Sequence, residues 1–294
     1  MAKKKLKDQP AKKKSFIEEL WATIKILPQA ILFVMIINGI AIASFVVPTG
    51  SMKDTVKIGD FLFVNKFKYG PSTPQVIPIV NIPLPYYKFP GFWKPEVNDV
   101  IVFVFPGNAD QIEASNFTYY LKRCVATAGD TIEVRDQQVY VNGKIMKNPE
   151  NSIINDRNPQ LARFPFGTRW TYDNYGPLRI PAKGDVIKLD RYTIPKWRVF
   201  IEREGHEVTT DFNSVIIDGK EVTEYTVERD YCFGMGDNRD RSDDSRNFGF
   251  IPQENVVGTP MVVYWSWDTD IPMIANIGDR LASIRWGRLG TIIK

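Results

Sequence analysis

Apolar and polar positions divide this chain into three stretches. Residues 1–25 are polar and rich in lysine, residues 26–52 hold no charged side chain, and from Gly59 onward short apolar runs alternate with polar turns. The apolar run Ile26–Val47 has 22 residues. As a helix it would reach roughly 33 Å, enough for a bilayer core of about 30 Å, so it predicts a transmembrane helix over 26–47. Pro28 lies near the cytoplasmic end of the run, and Asn38 and Gly39 weaken its middle without forbidding insertion. The lysines upstream keep the N-terminus in the cytoplasm and place everything after Val47 on the outer face of the cell membrane. The length of the run beside so many lysines argues against a buried core helix. A cleavable signal peptide competes, because Ala41-Ile42-Ala43 imitates a small-x-small cleavage site. The run is longer than the usual signal core of about 7–15 residues, however, and it continues past that site.

Beyond Gly59 the period becomes that of strands. The runs Phe61–Asn65, Val100–Phe105, Tyr119–Ala126, Thr131–Arg135, Gln138–Val141, Val186–Leu189, Val215–Ile217, Tyr231–Gly234 and Val256–Trp265 predict short strands. Asn142-Gly143 and Asp218-Gly219 each separate two such runs, as tight hairpins require. No long segment of helical period occurs between Gly59 and Asp268, so the body is expected to be mostly β and antiparallel. Gly70–Val97, rich in Pro and in aromatics (Tyr86, Tyr87, Phe89, Phe92, Trp93), is a poor central strand. It fits either a packed loop or one that dips into the membrane interface. Residues 144–225 are polar with scattered strands and predict a second, smaller β lobe. The segment Ile271–Ile293 is amphipathic, carries Arg280, Arg285 and Arg288, is too charged to span a membrane, and predicts a short helix.

Charge narrows the choice of partner. The net charge of +4 resides in the tail: residues 1–25 carry eight Lys against Asp8, Glu18 and Glu19, whereas the remaining 269 residues carry 30 basic and 31 acidic side chains. A nucleic-acid-binding domain concentrates Lys and Arg in its folded part, so no nucleic acid is expected. Cys124 and Cys232 are the two cysteines, and either one disulfide or two buried thiols fits them. With His206 as the single histidine, a zinc site of the usual His/Cys type is nearly excluded. His206 sits in the charged turn Glu202-Arg203-Glu204-Gly205-His206-Glu207, the setting of an exposed loop residue rather than a catalytic base.

Three residues, Pro48, Thr49 and Gly50, separate the apolar run from Ser51, so chemistry at Ser51 would take place at a membrane surface. A serine hydroxyl is a poor nucleophile until a base removes its proton. Without a histidine triad, a lysine can serve if burial keeps it neutral at working pH. Lys122 interrupts a largely apolar run, where alternation places Tyr120, Lys122 and Cys124 on one face and Leu121, Arg123 and Val125 on the other. A lone lysine in a strand is ordinarily a solvated edge residue, so the neighbouring motifs decide. The loop holding Asp237, Asp240, Asp243 and Asp244 does not have calcium-loop spacing, because Arg239 and Arg241 occupy ligand positions and no Gly follows. It reads as a rigid loop laced by ion pairs.

Taken together, these stretches resemble bacterial type I signal peptidases, the membrane-anchored Ser/Lys endopeptidases that remove signal peptides. The resemblance is carried by Pro48-Thr49-Gly50-Ser51-Met52, by Gly59-Asp60-Phe61-Leu62-Phe63-Val64-Asn65-Lys66, and by Asn98-Asp99-Val100-Ile101-Val102-Phe103 with Tyr120-Leu121-Lys122-Arg123 and Gly129-Asp130. It continues in Gly236-Asp237-Asn238-Arg239-Asp240-Arg241-Ser242-Asp243-Asp244-Ser245-Arg246. It implies Ser51 as nucleophile, Lys122 as general base and Ser242 as the serine whose hydroxyl orients the lysine. It further implies Thr49 with the Ser51 backbone N–H as oxyanion hole, Asp244 with Arg246 as a structural ion pair, and Pro48, Tyr120 and Leu121 as walls of shallow pockets for small residues, usually Ala. One departure is Asp54, where the family commonly has Pro; it is expected to point away from Lys122, since a carboxylate there would favour the charged lysine.

The fold expected on this resemblance is mostly β: an N-terminal transmembrane helix, then an antiparallel β catalytic domain of signal-peptidase type, whose core self-cleaving repressors share, with a smaller inserted β lobe. The corresponding divisions are a basic cytoplasmic arm (1–25), the anchor (26–47), a catalytic core (48–143 and 226–270), the lobe (144–225) and a C-terminal amphipathic segment (271–294). The expected partners are preprotein signal peptides, cut after Ala-x-Ala, and the lipid bilayer; no metal or cofactor is required, and a monomer is expected. A non-catalytic membrane-tethered binding domain would have lost Ser51 or Lys122, and a self-cleaving repressor would carry a DNA-binding domain in place of the anchor.

Overall fold

The computed structural model describes residues 15–73, 76–77, 82–154, 159–212, 214–272 and 277–294. The arm up to residue 14 lies outside them, as do short pieces of both expected insertions and residues 273–276 of the C-terminal segment. The chain opens with α1 (Phe16–Ile40) and continues through β1 (Ile42–Val46), β2 (Asp60–Asn65), β3 (Val76–Ile77), β4 (Ile82–Pro83), β5 (Val100–Val104), β6 (Tyr119–Thr127), β7 (Thr131–Arg135), β8 (Gln138–Val141) and β9 (Lys144–Ile145). Next come β10 (Tyr175–Arg179), β11 (Val186–Lys188), α2 (Ile194–Arg203), β12 (Val208–Thr210), β13 (Val215–Ile217), β14 (Lys220–Val222) and β15 (Glu224–Thr226). The chain ends with β16 (Tyr231–Met235), α3 (Ser245–Phe248), β17 (Ile251–Pro252), β18 (Val256–Ser266) and α4 (Ile277–Ala282).

Every strand run read from the sequence is a strand here, and the body is antiparallel. Asn142 and Gly143 have φ of 52° and 74°, and Asp218 and Gly219 have 50° and 75°, the left-handed pairs that tight hairpins need. Two expectations are corrected. The helix does not run to Val47: it stops at Ile40, and Ile42–Val46 pairs along its whole length with β2, from Ile42 opposite Asn65 to Val46 opposite Phe61. In β1 Ala43 is buried and Phe45 half-buried while Ile42, Ser44 and Val46 face out, a period of two concealed in a continuous apolar string that also fits a helix. Among the described residues no helix is long and apolar enough to cross a membrane. The second correction is α2, a ten-residue helix inside the body; it buries Ile194, Phe200 and Ile201 along one stripe and begins with Pro at its first turn, where Pro is tolerated.

The main sheet has the order β1-β2-β18-β5-β6-β16-β17. Strand β18 joins its halves, pairing through Thr259–Ser266 with β2 and through Val256–Gly258 with β5. Its register against β2 slips twice, between Pro260 and Val262 and between Val263 and Trp265. Such bulges sharpen the twist, and β1–β2 curl over β5–β6. Val47, Met52, Val56, Leu62 and Val64 meet Val100, Val102 and Val263 in a buried cluster between them, with the rings of Phe45 and Tyr119 edge to face at 4.8 Å. Each such side chain contributes about 1.5–3 kcal/mol by leaving water. A second cluster lies behind β6 and β16, where Val125, Ala126, Phe233 and Met235 pack against the β10-β7-β8-β9 sheet and α2. Cys124 and Cys232 are buried free thiols.

In the Pro-rich stretch Tyr86 packs its ring on Phe117 at 5.3 Å, as a packed loop would, whereas Phe92 and Trp93 form an exposed cluster with Phe67. The C-terminal segment holds α4 and returns to the sheet, bridging Ile292 to Val262 and burying Ile293. Asp60, fully buried, ties it down, accepting from Ser266 Oγ at 2.7 Å, from the Lys57 N–H at 2.8 Å and from the Arg288 guanidinium at 2.5 Å. Removing one partner of a buried ion pair strands the other. Asp60→Ala is therefore expected to lower unfolding free energy by about 3–5 kcal/mol, read as a drop in the denaturant midpoint; an unchanged midpoint would show that the C-terminal segment is held by its apolar contacts alone.

Candidate active site

Strand β1 delivers Ser51. After Val46 the chain stays on β2 through Val47 N–H to Asp60 O at 2.9 Å and Gly59 N–H to Val47 O at 2.9 Å, then turns through Pro48, Thr49 and Gly50. The turn is gripped from the opposite side of the sheet by Asn238, whose side-chain amide donates to Gly50 O at 3.1 Å and whose backbone N–H donates to Ser51 O at 3.0 Å. Lys122 comes from the middle of β6, opposite Ile101 of β5. The two side chains, 71 residues apart in sequence, meet with Lys122 Nζ donating to Ser51 Oγ at 2.8 Å. Lys122 is 3% exposed and Ser51 9%. Thr49 Oγ1 lies 3.5 Å from Ser51 Oγ.

Burial pulls the Lys122 ammonium down to about 8, against the opposing pull of Asp244 and Asp243. The nearby acids are otherwise engaged. Asp237, fully buried, receives two nitrogens of Arg123 at 2.8 Å and the Thr55 hydroxyl at 2.6 Å. Asp244 receives Arg246 at 2.8 and 2.9 Å and the Gly236 N–H at 3.1 Å. Burial would raise the Asp244 carboxyl, but Arg246 outweighs it and holds the group below the ordinary carboxylate range. Arg246 in turn stacks 4.0 Å from the Tyr172 ring centroid and donates to Arg239 O at 2.6 Å.

Ser51 and Lys122 line a cleft of about 660 Å³ together with Pro48, Thr49, Tyr120 and Leu121, and with Phe45, Leu62 and Val102 as apolar floor. Its two sides are open strand edges. β1 is the last strand of the sheet, and β16 pairs with β6 only from Arg123 to Thr127, so that among the described residues no strand pairs with Tyr119–Lys122 on that side. A second cleft of about 420 Å³ between α2 and Phe248 contains neither Ser51 nor Lys122.

Two expected residues behave differently from their neighbours. Ser242 is buried near Ser51, but its Oγ has no hydrogen-bond partner among the described residues, so no bond to Lys122 is made here. Asp54 is exposed at φ 73°, a conformation closed to proline, whose ring fixes φ near −65°; the turn below Ser51 thus has a shape the usual residue could not take. His206 lies outside the cleft and is not fully exposed as expected, since Asp218 and Glu228 take its two ring nitrogens at 2.6 and 3.0 Å. Asp237, Asn238, Gly236 and Arg123, which the sequence reading left without roles, are the residues that set the positions of Ser51 and Lys122. The signal available for them was their place inside motifs already chosen for Lys122 and Ser242.

Residues 20–265 match the family model described as "Signal peptidase, peptidase S26". The chain is 30% identical over 272 residues to signal peptidase I of Rickettsia typhi, covering 88% of each protein. It is 27% identical over 256 residues to signal peptidase I of Helicobacter pylori, covering 85% of this chain and 84% of that one. Against signal peptidase I of Pseudomonas aeruginosa it is 26% identical over 264 residues, covering 83% of this chain and 74% of that one. With a buried serine and lysine facing each other in an open cleft, and with these likenesses over most of its length, the chain belongs to the signal peptidase family S26, the bacterial type I signal peptidases, which are serine endopeptidases.

Proposed function

We propose that this protein removes N-terminal signal peptides from exported preproteins after small residues, with Ser51 as nucleophile and Lys122 as general base. The contact of 2.8 Å between Lys122 Nζ and Ser51 Oγ inside the open cleft carries this reading. A lysine near 8 is neutral in a useful fraction of molecules at mildly alkaline pH and can accept the Ser51 proton. The cleavage segment lies extended between the free edges of β1 and β6, held by main-chain hydrogen bonds. Pro48, Tyr120 and Leu121 bound the space for its small side chains. Ser51 attacks the carbonyl, the Thr49 hydroxyl and the Ser51 N–H receive the developing oxyanion, and Lys122 returns its proton to the leaving amine. Water activated by the same lysine then releases the acyl group. Ser242, a buried hydroxyl with unused capacity, serves to accept from the lysine while it holds the proton, and Asp244 with Arg246 fixes the loop that carries it.

Membrane association fits α1. From Ile26 to Ile40 the helix has no charged residue, and Leu32, Phe33, Val34, Ile36, Ile37 and Ile40 are all exposed, spread over about 200° of its circumference. So wide an exposed apolar face requires lipid or protein cover; lipid restricts enzyme and signal peptide to one plane and one depth. The N-terminal arm stays cytoplasmic and the β body faces outward, by the lysine asymmetry of the tail.

Three measurements test the chemistry. In lipid vesicles holding an Ala-x-Ala preprotein, Ser51→Ala and Lys122→Met should each lower kcat/KM by about 10²–10⁴-fold or more; a variant within tenfold of the parent would remove that residue from its role. Because the neutral lysine is the active form and its pKa is lowered to about 8, log kcat/KM should rise with unit slope below that pH and level off above it. A profile flat from about pH 6 to 9 is incompatible with a lysine base. The third concerns Gly236, where an added Cβ would lie 2.2 Å from Ser242 Oγ and 2.5 Å from the Ser51 carbonyl oxygen. A backbone oxygen cannot step aside as a side-chain end can, so Gly236→Ala should displace Ser51 and lower kcat by about 10²-fold, with the circular dichroism spectrum unchanged; full activity would show that the loop absorbs the methyl group.

A further inference from the structure

Besides Lys122 the body buries another lysine against a serine. Lys66, 4% exposed, closes β2 and donates from Nζ to Ser72 Oγ at 2.5 Å and to Asn38 O at 3.3 Å. It has no ion pair among the described residues, and burial alone brings it down to about 8. An unpaired ammonium in a dry site is costly, so its bonds must return something. Lys66 and Ser72 are 4% and 3% exposed and line neither the cleft of Ser51 nor the one beside α2, so the pair is packed away rather than presented to a substrate.

What the lysine does hold is the end of α1. The last carbonyls of a helix lack partners within it and form the negative end of its dipole. Here Asn38 O takes the Lys66 ammonium, Gly39 O takes the Ser72 N–H at 3.0 Å, and Ala41 O takes the Lys66 N–H at 2.9 Å. The helix is capped by the segment following β2 rather than by its own continuation. From Ala41 the chain passes straight into β1, whose pairing with β2 runs to within five residues of Ser51. A rigid path therefore joins the helix end to the nucleophile.

We propose that Lys66 is a positioning residue that clamps the last turn of α1 to the β2 end and so fixes the height of Ser51 above the membrane. This rests on the signal-peptidase reading and on α1 lying in lipid. Loss of the ammonium lets the helix swing about Ala41, so that Ser51 and Lys122 remain intact but meet a membrane-held cleavage segment at the wrong depth. A substrate free in solution does not register that change.

The full chain carrying Lys66→Met is compared with the parent in lipid vesicles on two substrates, a preprotein inserted in the same vesicles and a short soluble Ala-x-Ala peptide. The expected result is a loss in kcat/KM of about tenfold or more on the inserted preprotein, through KM and with cleavage at shifted positions, while the soluble peptide is cut as by the parent. Equal losses on both substrates, with a lower unfolding temperature, would reduce Lys66 to a stabilising residue, and no loss on either would overturn the clamp outright. Should Lys66→Met not fold, Ser72→Ala removes one acceptor and keeps the ammonium; it should show the same split to a smaller degree, and its absence overturns the clamp equally. The parent reports on the underlying reading separately: if it cuts neither substrate, the peptidase assignment falls and the positioning role with it.

Discussion

Burying Lys122 next to Ser51 is the constraint around which the rest of this body is arranged. Burial disfavours the charged form of Lys122, and carboxylates beside it favour that form. Asp237, Asp243 and Asp244 all exert some pull on it or lie close by, and the fold needs them in the loop that grips Ser51. Two of the three are neutralised by guanidinium groups that touch nothing in the cleft: Arg123 takes Asp237, and Arg246 takes Asp244. Such buried pairs contribute little net stability. Their value lies in letting acidic residues build the loop without charging the lysine.

That arrangement depends on topology as much as on charge. Ser51 follows β1 at one edge of the sheet, and Lys122 sits on β6, four strands further along in the order. In a flat sheet strands lie about 4.8 Å apart, which would hold the two roughly 19 Å from each other. The double register slip in β18 curls β1–β2 back over β5–β6 and brings Nζ and Oγ to 2.8 Å. The cluster of Val47, Met52, Val56 and Leu62 against Val100 and Val102 is thus the packing that holds the serine on the lysine.

Much of this was legible before folding. Strands with alternating apolar positions were found because burial on one face imposes a period of two, and both hairpin turns because left-handed backbone restricts the residues that can stand there. β1 was not, since Ile42 and Val46 face outward yet are as apolar as the inward-facing Ala43 and Phe45; only the pairing with β2, a long-range fact, separates strand from helix there. α2 escaped for a related reason, its buried stripe being only Ile194, Phe200 and Ile201 amid charged residues. At the site, Ser51 and Lys122 stood out through motif and context. Asn238 and Gly236 did not, because gripping a backbone or leaving room for one is a property of position, invisible in residue type.

The two buried lysine–serine contacts sharpen what makes such a pair reactive. Lys66 with Ser72 and Lys122 with Ser51 share donor, acceptor, low exposure and a lysine brought down to about 8. Proximity and basicity therefore cannot distinguish them. The difference is what lies beyond the serine. Ser51 faces a cleft bounded by two unpaired strand edges, where an extended chain can add its own hydrogen bonds. Ser72 donates its N–H to Gly39 O, shares its backbone in a bridge with Lys88 and meets packed protein on all sides. In one place the free strand edge opens the pair to a substrate, as the proposed role of Lys122 as a base requires; in the other, the ammonium is turned onto a carbonyl of the last turn of a helix.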